Sequence, residues 1–154
     1  MNHHRKLLKE LEKRFNKDQQ LSRDQKWEEL KEVYRENAEW LKGIMLREGW
    51  PSSKTVGEQG ESYAWLIVQH AEDSVFQKSC LQLIKKLPST KERKQHIAYL
   101  TDRILVSENK AQLYGTQYSY GKPLPIDDEE NVDARRKIME LEPFNEYQKR
   151  MTRS

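Results

Sequence analysis

The stretch Glu61 to Ala71, ESYAWLIVQHA, is apolar on nearly every side. A helix without a polar face is a buried helix, so this run is the predicted centre of a helical core. Immediately upstream, residues 51–60 contain glycine and serine and read as a loop. Gly49-Trp50-Pro51 stops whatever precedes that loop, because proline disfavours helix at the residue before it. Downstream, Asp73 to Lys86 is helical with Val75, Phe76, Cys80, Leu81, Leu83 and Ile84 inward, either as a second helix or as the first continued past a bend. Pro88 closes it.

Further out, Leu7, Leu8, Leu11 and Phe15 form a narrow stripe on a helix from His4 to about Lys17. Ser22-Arg23-Asp24-Gln25 reads as a capping box. It opens a helix carrying Trp27, Leu30, Tyr34, Leu41 and Met45 to about Arg47. Ser89-Thr90-Lys91-Glu92 is a second such box, before the face Ile97, Leu100, Ile104 and Leu105. Residues 112–118, QLYGTQY, have strand composition. Residues 119–122 can turn them, and Leu124-Pro125-Ile126 can return as an edge strand, where proline is tolerated. An acidic loop leads to a helix over Val132 to Leu141, and Pro143 opens a last turn or two through Phe144 and Tyr147. The expected fold is mainly α: a compact helical domain of five to seven helices with one small β-hairpin near residues 112–126. It is expected as a single domain over residues 1–154, with 1–35 an N-terminal helical extension packed on or projecting from a core of 36–150.

Bulk properties narrow the function. The 154 residues are 34% charged and 35% hydrophobic, yet 28 basic residues nearly cancel 25 acidic ones, leaving +3. Four tryptophans and seven tyrosines supply large surfaces to bury, so a folded domain with very polar outer faces is expected rather than a disordered chain. Acids interleave with bases throughout, which argues against the basic stripe of a nucleic-acid binder. One cysteine, Cys80, allows no internal disulfide and fits a reducing compartment. No apolar run is long enough for a membrane span, and the N-terminus lacks the apolar segment of a signal peptide. A cytoplasmic location without membrane contact is the expectation.

Candidate chemistry lies in four places. His70, Asp73 and Gln77 share one helical face, where a histidine works as general acid or base and a carboxylate fixes its tautomer. The structural alternative is a buried histidine at a helix junction, with Asp73 capping the next helix. Asp102 and Arg103 point about 100° apart, so each seeks a partner elsewhere; arginine suits a bidentate grip on carboxylate or phosphate, and a buried ion pair fits equally well. On a strand, Gln112, Tyr114, Thr116 and Tyr118 share a face and Leu113 and Gln117 take the other, with Gly115 allowing close approach. Val132-Asp133-Ala134-Arg135-Arg136 reads as a helix start with solvent-facing arginines. No phosphate loop, dinucleotide fingerprint, zinc-protease motif, paired C-x-x-C or nucleophile elbow is present. Four histidines give no metal-ligand spacing, and nothing names a cofactor.

Several short words stand in an order that recurs in one family: Gly49-Trp50-Pro51, Ala64-Trp65-Leu66, Val68-Gln69-His70-Ala71, Ala98-Tyr99-Leu100-Thr101-Asp102-Arg103, Gln112-Leu113-Tyr114-Gly115-Thr116-Gln117, Val132-Asp133-Ala134-Arg135-Arg136 and Glu146-Tyr147. This series resembles the bacterial family catalogued as domain of unknown function 6624, over about residues 36 to 150. The resemblance implies a bacterial intracellular protein and carries no activity. Its words centre on polar residues, which implies either a satisfied buried network or a ligand site.

Two functions follow as expectations. One is an enzyme or binding domain for a small polar or anionic molecule, by hydrolysis or group transfer. In it His70 is the acid/base, Asp73 or Asp102 its orienter, Arg103 an anion anchor, and Gln77, Gln112, Tyr114 and Gln117 the ligand contacts. The other is a protein-interaction or self-association module using the two N-terminal amphipathic stripes.

Overall fold

A computed structural model of the chain describes residues 2–153. It is 72% helical with one two-stranded antiparallel hairpin, so the fold is mainly α. The chain divides into two compact units, Met1–Phe76 and Gln77–Ser154.

The first unit is built from α1 (His3–Arg23), α2 (Trp27–Glu48) and α3 (Ser53–His70). Helix α1 packs on both α2 and α3, and α2 packs on α3. Leu7, Leu11 and Leu21 of α1, Leu30, Val33, Leu41 and Ile44 of α2, and Ala64, Ile67 and Val68 of α3 are buried. The stripes of both N-terminal helices therefore face inward, except at Trp27, the first residue of the α2 stripe, which is exposed. Phe15 stacks on Tyr63 at 4.4 Å, and the Arg14 guanidinium lies 4.3 Å from the Trp40 ring while donating to Asn37 Oδ1.

Two boundaries differ from expectation. Ser22 does not cap α2; it lies in the last turn of α1. Gln25 adopts φ 55°, Lys26 N–H donates to Leu21 O and Gln25 N–H to Ser22 O. That pattern is a Schellman stop, with glutamine in the left-handed position usually held by glycine. The same pattern ends the helix before Asn109 and the helix before Glu140. The expected loop over 51–60 is mostly helix: α3 begins at Ser53 and kinks at Gly57. Buried Glu61 explains that early start, because it accepts from Ser53 N–H (2.7 Å) and Trp50 Nε1 (3.2 Å) and so ties the Gly49-Trp50-Pro51 stop back to α3.

Helix α4 (Ser74–Lys85) is separate from α3, since Ala71 is extended (φ −66°, ψ 129°). It crosses the boundary between the two units. The second unit continues with α5 (Lys91–Ser107), capped by Thr90 rather than Ser89 through a 3.2 Å bond from Arg93 N–H. The hairpin is shorter than expected and lies later in the chain. β1 (Tyr118–Ser119) pairs with β2 (Lys122–Pro123) across Tyr120-Gly121. Both turn residues have positive φ, as a two-residue hairpin turn requires. Residues 112–117 form no strand but an irregular loop, joined to the return segment by a Gln112–Ile126 bridge, by Leu124 N–H donating to Gln117 O and by Gln112 Nε2 donating to Leu124 O. Helices α6 (Val132–Ile138) and α7 (Phe144–Thr152) complete the chain. In the 112–117 loop, Gly115 has φ +69°, and a Cβ there would lie 2.7 Å from the Phe144 ring; no other residue fits.

Candidate functional site

The sequence-nominated polar residues fall in both units. In the second, most of them build the 112–117 loop. Buried without a regular ladder, that loop must satisfy its amides and carbonyls with side chains. Asp102, fully buried on α5, accepts Leu113 N–H (2.8 Å), Tyr114 N–H (3.1 Å), Thr116 N–H (3.0 Å) and the Thr116 hydroxyl (2.8 Å). Gln112 donates to Gln117 O and Leu124 O and accepts from Gln117 N–H. Gln117 Nε2 donates to Thr116 Oγ1 (3.0 Å). The carbonyls of Leu113, Tyr114 and Thr116 take bonds from Arg135 Nε, Arg136 Nη1 and Tyr147 Oη. The recurring words YLTDR, QLYGTQ, VDARR and EY are thus one hydrogen-bonded network. Burial and the nearby Asp102 charge push the Tyr114 phenol up. The shared strand face expected for Gln112, Tyr114 and Thr116 does not exist, because no strand forms there.

Arg136 departs furthest from its sequence reading. It was expected to face solvent and is 1% exposed. It donates to Tyr114 O (2.6 Å) and Glu142 O (2.7 Å), with its guanidinium 5.0 Å from the Tyr147 ring. Asp133 accepts from Phe144 N–H (2.7 Å) and so holds the start of α7. Gln77 is buried on α4 and Arg103 half-buried on α5.

In the first unit, His70 and Asp73 go to different partners. Asp73 caps α4 by accepting Phe76 N–H (3.0 Å) and pairs with Lys42 Nζ (3.0 Å), which also reaches Glu39 (2.7 Å). The Phe76 amide and the Lys42 ammonium hold the Asp73 carboxyl below its ordinary value, and Glu39 and Asp73 raise Lys42. His70 Nδ1 lies 2.7 Å from Asp18 Oδ2 of α1. The orienter is therefore neither Asp73 nor Asp102. Asp18 is 3% exposed, and the His70 side chain keeps 22% of its surface open. The histidine ring packs against Tyr34, tilted by 42° with the ring centres 4.6 Å apart. Sequence reasoning missed Asp18, although a signal was present. Leu7, Leu11, Asp18 and Leu21 follow the i, i+4, i+11, i+14 spacing of one face, so Asp18 is a lone carboxylate on an apolar stripe.

Tyr34 also lines a cleft of about 260 Å³ between one face of α2 and the α3–α4 link. Lys31, Arg35, Glu39 and Lys42 form its α2 wall, and Ala71, Glu72 and Asp73 the opposite side. Among the described residues no group of histidine, cysteine and carboxylates is arranged to hold a metal ion, and no helix is long and apolar enough to cross a membrane.

Fold and network together define a small, mainly α-helical protein whose second unit holds a side-chain-satisfied loop. The chain belongs to the family of unknown function DUF6624, which matches residues 25–153. The match takes in all of α2 and leaves out α1, so His70 is a family position while Asp18 lies before it. Comparison with curated proteins and with solved structures gives no match.

Proposed function

We propose that the protein binds a small polar molecule in the cleft lined by Tyr34, and that His70, which packs against Tyr34 without itself lining the cleft, exchanges a proton with a ligand reaching past that ring. The arrangement of Asp18 and His70 carries this reading. An ionised carboxylate only accepts hydrogen bonds, so Asp18 requires the proton on Nδ1 and leaves the Nε2 lone pair of the neutral imidazole as a base. A buried carboxylate fixing the tautomer of a partly open histidine is the geometry of general acid–base chemistry. Cys80 is fully buried, which keeps its thiol from a ligand. The reading is therefore water activation or direct proton transfer, within hydrolysis or group transfer. The mixed charges of Lys31, Arg35, Glu39 and Lys42 suit a ligand carrying both donors and acceptors.

The test is a nitrogen-15 NMR titration against panels of small carboxylates, phosphate esters, amides and amino acids. The free protein should show His70 as the Nδ1–H tautomer. At least one class should shift His70 Nε2 together with Tyr34 and Lys42, and His70→Gln should remove that binding while preserving the fold. If no class moves these signals, or His70→Gln binds unchanged, the reading is wrong.

A further inference from the structure

The second unit contains a larger cleft, about 570 Å³, lined by residues of α5, α6, α7 and the 140–142 link. Its charges do not balance. Both carboxylates on its wall are already paired: Glu140 with Lys94 (3.2 Å) and Glu142 with Arg150. Three further cations, Lys91, Lys137 and Arg136, line the same cleft. No carboxylate of the described residues pairs with any of them.

Arg136 is the unusual member. A guanidinium stays charged in proteins, and burying a cation costs free energy unless it is compensated. Its direct contacts are two carbonyl oxygens and the faces of Tyr147 and Phe144, all neutral groups, while the Glu142 and Asp133 carboxylates act on it only from a distance. Those bonds occupy Nε and Nη1, and Nη2 donates to no described residue. Hydrogen bonds donated to Tyr114 O of the 112–117 loop and to Glu142 O hold the fork rigid, so binding an anion costs the receptor little freedom. Tyr99 and Leu141 add an apolar wall beside the cations.

We propose that this cleft is a binding site for a small organic anion with a phosphate or paired-carboxylate head group. The head lies on Arg136 Nη2 between Lys91 and Lys137, and the organic portion rests on Tyr99 and Leu141. Phosphate and carboxylate heads share the chemistry that a guanidinium edge recognises. The site lies wholly in the second unit and does not depend on the reading of His70.

The experiment titrates the full-length protein with inorganic phosphate, glycerol phosphate and succinate, each against sodium chloride at matched ionic strength. The readouts are the Arg136 Nε–H resonance and the Tyr99 ring signals. Saturable shifts are expected with at least one head group, and the stronger binder identifies which. The exposed double variant Lys91→Gln/Lys137→Gln leaves the Arg136 bonds in place and should weaken binding at least tenfold. Arg136→Lys should weaken it further, and is interpreted only if its Tyr147 ring signals remain native. Shifts no larger than those from chloride would overturn the proposal. So would saturable binding that the double variant retains at full strength.

Discussion

Replacing Asp102 by alanine would strand three backbone amides, two partly buried and one buried, and the buried Thr116 hydroxyl, because all four donate to that one carboxylate. Each unsatisfied donor costs about 1–3 kcal/mol, and removing one partner of a buried charged group costs about 3–5 kcal/mol. The contributions overlap, so Asp102→Ala should lower stability by about 3–5 kcal/mol, read as a reduced urea midpoint. Asp102→Asn keeps the volume and one accepting oxygen, but turns an amide toward donors, and should cost about 2 kcal/mol. If Asp102→Ala unfolds at the wild-type midpoint, the loop is held by something else. The sequence marked Asp102, Gln112 and Gln117 as polar residues needing partners. It could not separate a ligand site from a loop, because both demand convergent polar groups and only the placement of the backbone amides decides. Arg136 was read as a surface residue for a similar reason. Nothing local distinguishes an arginine that meets solvent from one whose acceptors come from residues 114 and 142.

At the scale of elements, the apolar stripes located the helices well, whereas the helix ends were less legible. The Ser22–Gln25 words fit a helix start, yet the backbone uses them to stop α1, because a left-handed Gln25 lets the Gln25 and Lys26 amides bond back to Ser22 and Leu21, and glutamine does not announce that conformation as glycine would. Asp73 is the counterexample: its role as the cap of α4 was readable as the structural alternative. That cap makes a pH prediction. The folded-state carboxyl lies below its ordinary value of 3.8, chiefly through the Phe76 amide and then Lys42. A depressed carboxylate contributes stability at pH values above its unfolded pKa, and that contribution is lost as pH falls through the folded pKa. The side chain is 38% exposed, so screening keeps the effect under about 1 kcal/mol. Asn retains an oxygen for the Phe76 amide but cannot titrate. Asp73→Asn should therefore flatten the loss of stability between about pH 4 and pH 2 and leave the helix content at neutral pH unchanged. Identical acid limbs for the two proteins would mean that ionisation of Asp73 contributes nothing to stability.

At the scale of the whole molecule, the question is what α1 is, since it precedes the residues matched to the family. Two accounts were open from the sequence: an appendage whose stripe awaits a partner, or part of the core. Burial of Leu7, Leu11 and Leu21 against the rest of the first unit supports the second. Each fully buried leucine contributes roughly 1.5–3 kcal/mol, so the three together supply roughly 5–9 kcal/mol. That is comparable to the entire stability of a small domain, about 5–15 kcal/mol. Removing residues 1–24 would also expose α2 and α3 where α1 covered them, and would leave His70 without Asp18. The shortened chain, from Gln25 onward, should lose cooperative unfolding in its first unit. Nitrogen-15 NMR checks this directly: Leu30, Val33, Ala64 and Val68 should collapse to the narrow shift range of unfolded chain. Should they keep their native dispersion, α1 would be an appendage after all, its stripe would be free for a partner, and the acid/base reading of His70 would have to stand without its orienter.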